Sequence, residues 1–168
     1  MQGRLDSPLT DLGRDQAARQ AEILRDFGVI GWDWYASPQG RALATARIAL
    51  GDHDAEITVD PRLCEIDLGD WSGEMRSDIR AEAPQLFETG DMGWYDHAPG
   101  GEGLAGLAAR AGAFLADLER PAVIVTHGIT SRVIRCLALG LPIRDFDSLA
   151  GGQGVAHHVS GCTARVVI

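Results

Sequence analysis

The chain has 168 residues, the length of one ordinary domain, and its 45% hydrophobic content is enough for a single buried core. Its formal charge of −9 repels nucleic acid and anionic lipid, which excludes a non-specific polyanion binder. A small anionic substrate stays open, because a local pocket of Arg, His and backbone N–H groups outweighs a distant surface field.

The three cysteines, Cys64, Cys136 and Cys162, include no CxxC pair, so neither a zinc site nor a dithiol redox site is expected. They read as small core residues in a reducing compartment. No apolar run approaches the ~18 residues of a membrane helix, and residues 1–20 carry no signal-peptide core. A cytoplasmic protein without a membrane or nucleic-acid partner is expected.

Thr10 is a good N-cap, Ala17, Ala21 and Leu24 follow at helical spacing, and Gly28 is the matching stop, which predicts the first helix. The aromatic and β-branched run from Val29 to Ser37-Pro38 predicts a buried strand, and a helix follows from Arg41 to Leu50. Alternation around Ile57 and Val59 predicts a second strand, with a loop from Cys64 to Glu74 after it. Residues 76–88 read as helical with a break at Pro84. The stretch Gly90 to Gly103, dense in Gly, Pro and aromatics, predicts an irregular lid-like loop. Leu104, Leu107, Ala111, Phe114, Leu115 and Leu118 mark an amphipathic helix. Ala122 to Thr126 is apolar on both faces, as in a parallel strand covered by helices on either side. A helix from Ser131 and a hairpin turning at Ser160-Gly161 end the chain. Strands alternating with helices predict one domain over 1–168, a three-layer α/β/α sandwich with a mostly parallel sheet.

The strongest chemical feature is His127-Gly128, where a histidine leaves the C-terminal end of a buried strand just before a helix. Ligands of open α/β sheets bind at that edge, where helix N–H groups meet an anion and glycine permits close approach. Arg41 repeats the geometry after another strand and is suited to fork onto phosphate oxygens. Glu65 precedes an apolar, Gly-rich loop, where partial desolvation would prepare it as a general acid. Each has an ordinary structural reading when taken alone: a hydrogen-bonded loop histidine, a solvated arginine, a surface carboxylate. His157 and His158 alternate faces in the terminal hairpin, so no metal pair is expected there.

Five ordered motifs, taken together, resemble the histidine phosphatase superfamily, the phosphoglycerate mutase-like proteins. They are Asp6-Ser7-Pro8-Leu9-Thr10 with Gly13 and Gln16-Ala17; Ser37-Pro38 with Arg41-Ala42 and Thr45-Ala46; Arg62-Leu63 with Glu65, Gly69, Trp71 and Gly73; Pro99-Gly100-Gly101-Glu102; and Val125-Thr126-His127-Gly128. The resemblance covers nearly all of the chain. It implies a metal-free and cofactor-free phosphate pocket of two histidines and two arginines, a phosphohistidine intermediate and a carboxylic acid that protonates the leaving oxygen. Arg41 matches the second arginine, His127 the second histidine and Glu65 the proton donor, with Gly128 beside the phosphate. Gln2 and Gly3 fall where the family shapes its substrate site, and Trp94, Tyr95 and His97 are expected to tune substrate choice from the loop above.

The family's first strand, internal to its sheet and ending in Arg-His-Gly, has no match in these residues. The resemblance therefore implies a phosphomonoester hydrolase whose chain, as it stands, lacks its nucleophile and one inner strand. A polypeptide starting upstream of Met1 meets this, as does a homodimer that covers the open strand edges. The alternatives are a non-catalytic phosphoester-binding or regulatory protein and, less in keeping with the intact Arg41, Glu65 and His127, a purely structural subunit. The expected partner is phosphate or a small phosphorylated metabolite.

Overall fold

The computed structural model describes residues 1–90 and 92–167. Helix α1, Asp11–Phe27, starts where Thr10 accepts the Gly13 amide at 3.1 Å and stops at Gly28, whose φ of 83° suits a residue without a Cβ. Strand β1, Asp33–Ala36, leads into helix α2, Gly40–Leu50, and strand β2 is Ile57–Val59. Helix α3, Arg76–Glu82, ends before Pro84, where a short 3-10 turn takes over. Helix α4, Gly103–Ala116, strand β3, Ala122–Val125, and helix α5, Gly128–Ala138, follow. Strands β4, Ala156–Ser160, and β5, Thr163–Val167, form the terminal hairpin.

The three-stranded sheet has the order β2-β1-β3 and is parallel throughout, with Ala36 level with Val59 on one side and Val125 on the other. Its faces separate two cores. Val29, Trp34, Ala49 and Val123 pack with Leu24 and Phe27 of α1, while Leu107, Ala111, Phe114, Ile129 and Val133 of α4 and α5 pack on the opposite side. The result is the expected α/β/α layering, and it follows from strands that are apolar on both faces.

Among the described residues β3 pairs only with β1, and the antiparallel β4–β5 hairpin is a separate two-stranded sheet. The lid-like stretch is more ordered than its composition suggests, since Gly93–His97 forms a 3-10 turn anchored by the buried Trp94. The cysteines do not behave alike. Cys136 is buried and Cys64 half-buried, but Cys162 is exposed at the hairpin turn, so the expectation of three core thiols fails there. A two-residue turn points its side chains to solvent, whatever their polarity.

Candidate active site

Because β1 and β3 are parallel neighbours in register, their C-terminal ends deliver the chain to the same edge. From β1 comes Ser37, fully buried, and then α2 with Arg41 in its first turn. From β3 comes His127, 9% exposed, whose Nε2 lies 2.8 Å from Ser37 Oγ. Burial, then the positive charge of Arg41, pushes the His127 pKa down from its usual value to about 3, with Arg110 adding to the depression and Asp6 opposing it. The imidazole is therefore neutral at physiological pH, with Arg41 close enough to act on it.

Arg41 is held from the N-terminal segment. Its guanidinium donates to Gly3 O at 3.0 Å and to Leu5 O, and it lies 3.4 Å from Asp6 Oδ1. Asp6 also accepts the Gly40 and Arg41 amides at the start of α2. Slight burial works against the charged form of Asp6, but those amides, the Ser7 amide and the Arg41 charge outweigh it and lower its pKa. The sequence gives little hint of Asp6 as a site residue, because its contact with Arg41 spans 35 positions.

Glu65 occupies the N-terminus of α5. Its Oε2 accepts the Ile129 amide at 3.2 Å and its Oε1 the Thr130 amide at 3.1 Å. These are the helix N–H groups expected to face a phosphate, and in this structure the protein's own carboxylate takes them. The apolar loop after Glu65 packs away from it: Ile66 and Leu68 enter the core, while the carboxylate is left among donors. Gly128 has an ordinary φ, and a Cβ built there would meet Glu65 Oε2 at 3.9 Å, an ordinary van der Waals contact, so the fold itself does not demand glycine here.

Three residues that sequence reasoning did not single out brace this arrangement. Gln39, 8% exposed, accepts the Glu65 amide at 2.7 Å and donates to Gly3 O at 3.1 Å, tying the two loops together. Arg110 on α4 forks onto Glu102 at 2.7 and 2.8 Å and donates to the carbonyls of Arg62 and Glu65. Thr130 Oγ1 lies 2.7 Å from Cys64 O. Glu102, the acid of the Pro-Gly-Gly-Glu segment, also accepts the Asp67 amide. Burial tends to raise its pKa, but the hydrogen bonds and charge of Arg110 win and hold the carboxyl below its usual value.

A cavity of about 1010 Å³ opens at this edge and runs along β3 between α1 and α5. Arg41, Glu65, His127, Gly128, Gln2, Gly3 and Tyr95 all line it. Burial and then the charge of Glu65 raise the Tyr95 pKa, which places its phenol in the field of that carboxylate. Trp94 and His97 stand elsewhere. Trp94 is 2% exposed and stacks on Phe87 and Tyr95, and His97 lines a second cavity with Asp96, Arg144 and Asp147. The 3-10 turn sends Tyr95 to the first cavity, while Trp94, Asp96 and His97 all border the second.

The other histidines are engaged apart from Arg41: His53 against Trp34, His158 against Phe27 and His157 beside Arg135. Among the described residues no three His, Cys, Asp or Glu side chains gather as a metal-ligand group, and no helix is long and apolar enough to cross a membrane.

The model of the histidine phosphatase superfamily, branch 1, matches residues 1–161. The chain belongs to the histidine phosphatase superfamily. Among its relatives in this superfamily, a glucosyl-3-phosphoglycerate phosphatase from Mycolicibacterium vanbaalenii is 37% identical over 176 residues, spanning 95% of this chain and 75% of that protein. A probable phosphoglycerate mutase GpmB from an Enterobacter species is 36% identical over 149 residues, 84% of this chain and 68% of its own. In structure, a mycobacterial glucosyl-3-phosphoglycerate phosphatase in complex with inorganic phosphate superposes with a TM-score of 0.78 at 30% identity, covering 100% of this chain and 89% of that one. Membership accounts for the five motifs at once, since each contributes a side chain or a turn to the edge just described.

Proposed function

We propose that the chain serves phosphomonoester chemistry of the phosphohistidine type, hydrolysis rather than mutase transfer, on a small phosphorylated metabolite. The carrying observation is the convergence of Arg41, neutral His127 and Glu65 on one cavity edge. The guanidinium and the imidazole serve a phosphoryl group, which carries charge on its equatorial oxygens and is best stabilised by fixed donors. Glu65 hands a proton to the leaving oxygen, and Tyr95 with Gln2 and Gly3 frames the alcohol part of the substrate. Relatives named as phosphatases of glucosyl-3-phosphoglycerate and of phosphoserine support a small hydroxy- or amino-acid phosphoester as the substrate class.

Residues 1–168 supply the acid and one Arg–His pair of this pocket, while His53 packs on Trp34, His158 on Phe27, His157 sits beside Arg135 and His97 lines the second cavity. We therefore assign binding without turnover to residues 1–168 on their own. The test is calorimetric titration with inorganic phosphate and vanadate, paired with a p-nitrophenyl phosphate assay. Phosphate binds the unmodified chain, and Arg41→Ala weakens it by about 1.5–3 kcal/mol, roughly ten- to hundredfold. Unchanged affinity in that variant sinks the pocket, and steady turnover by residues 1–168 sinks the assignment of binding without turnover.

A further inference from the structure

Gln39 stands at the start of α2, yet its side chain does not cap that helix. Asp6 does so instead, accepting the Gly40 and Arg41 amides from 34 and 35 positions away. The Gln39 amide is thereby free to turn inward, where it is buried. A buried primary amide is costly unless its oxygen and nitrogen both find partners. Here the oxygen accepts the Glu65 amide at 2.7 Å, and the nitrogen donates to Gly3 O at 3.1 Å and faces Leu5 O at 3.5 Å. The partners themselves fix which way the amide points, since a backbone N–H only donates and a carbonyl only accepts.

The same two carbonyls hold Arg41. Its guanidinium donates to Gly3 O at 3.0 Å and to Leu5 O, so Gln39 and Arg41 share their acceptors. The backbone amide of Gln39 completes the connection, donating to Ser37 Oγ at 3.3 Å, and that oxygen lies 2.8 Å from His127 Nε2. One residue is thus bonded directly to the backbone of the acid, to the carbonyls that aim the arginine and to the hydroxyl beside the histidine. The sharing matters most when Arg41 turns toward an anion. A carbonyl that had only the guanidinium would then lose its donor, whereas these keep Gln39 Nε2.

We propose that Gln39 is a positioning residue of the phosphoester site, coupling the Arg41 anchor to the Glu65 acid so that an anion bound at the one is felt at the other. The assignment rests on the phosphoester reading, and Gln39 itself touches no substrate in it. Opening the Gln39–Glu65 bond releases the Gln39 amide and, with it, the carbonyls that aim Arg41. The open form therefore binds an anion more weakly, and anion binding suppresses the opening. Glutamate cannot replace glutamine here. A carboxylate offers an acceptor to the Glu65 N–H but no donor to the carbonyls, and it gives Arg41 a counter-charge that competes with the anion.

The test is hydrogen exchange at the Glu65 amide of residues 1–168, without and with inorganic phosphate at saturation for each variant, alongside calorimetric phosphate affinity. In the unmodified chain phosphate slows that amide by about five- to tenfold. Gln39→Met, similar in length and without hydrogen-bonding donors, exchanges fast at Glu65 whether or not phosphate is present, and its phosphate affinity falls about tenfold. Gln39→Glu separates the two halves: the Glu65 amide stays protected, phosphate no longer changes its exchange, and affinity falls further than in the methionine variant. Should Gln39→Met not fold, Gln39→Glu decides alone. A phosphate response that persists at Glu65 in either variant, or unchanged affinity in both, overturns the proposal and leaves Gln39 a structural tie only. Arg41→Ala keeps the two readings apart. Phosphate binding that survives Arg41→Ala, or is absent from the unmodified chain, sinks the phosphoester pocket and the coupling with it, whereas binding lost in Arg41→Ala but kept in both Gln39 variants sinks the coupling alone.

Discussion

The two sides of His127 are built differently. Toward α4, the Glu65 loop is fastened at almost every polar atom, by Arg110 and Glu102 from below, by the α5 amides in front and by Gln39 at the side. Toward α1, the neighbouring edge of β3 has no strand partner among the described residues and faces a cavity. One side fixes the Glu65 carboxylate through hydrogen bonds to the start of α5. The other borders a cavity of about 1010 Å³. The lesson is that a tightly fastened loop and an open sheet edge coexist in one layer when much of the fastening comes from Arg110 on α4, on the far side of the sheet.

Substitutions on the fastened side should cost most. A Cβ at Gly69 would stand 2.1 Å from Pro99 O, on a backbone with φ +48°, and neither the carbonyl nor the strained conformation can yield cheaply. Gly69→Ala should lower stability by about 3 kcal/mol or more, read from denaturant melts. Arg110→Met comes next. It leaves the half-buried Glu102 without its counter-charge and two carbonyls without a donor, at about 2 kcal/mol, and it should loosen the Glu65 amide in hydrogen exchange.

His127 lies on the boundary between the two sides, and its effect is a matter of pH. Its folded pKa of about 3 lies below the unfolded value near 6.5, so its contribution is fully present above about 6.5. It is lost as the pH falls from there toward 3, because the unfolded chain then takes up a proton that the folded chain refuses. The slope is at most about 1.4 kcal/mol per pH unit, and His127→Gln should flatten that stretch of the stability curve. The smallest effect is expected away from both regions. Ile30 is 86% exposed, and Ile30→Ser should change stability by less than about 0.5 kcal/mol; a larger loss would mean that this surface is covered.

What was legible in the sequence was local or periodic. Thr10 and Gly28 bound α1 through contacts within four residues, and the apolar runs of β1 and β3 announce a covered parallel sheet. Arg41, Glu65 and His127 were legible because each stands at a motif-bearing strand end or loop. Arg110 and Asp6 were not, since an arginine on an amphipathic helix and an aspartate before Ser-Pro look like any solvated charge until the fold brings them to carbonyls and amides far along the chain. The Trp94 stretch misled through composition: aromatics at a loop suggest substrate contact, yet Trp94 closes a small core with Phe87 and Ile79, and only Tyr95 turns to the cavity. The donors expected to hold phosphate at α5 were taken by Glu65, a competition between two anions that no pattern of residue types reveals.

That competition makes the phosphate position the central claim, and a chemical-shift map of isotope-labelled residues 1–168 titrated with inorganic phosphate tests it most directly. Saturable shifts should converge on the Arg41 guanidinium, the His127 ring and the Gly128 amide, with the Ile129 and Thr130 amides still held by Glu65. Shifts centred on Arg132 and Arg135, or saturation at Ile129 and Thr130 with Arg41 and His127 unmoved, would contradict it.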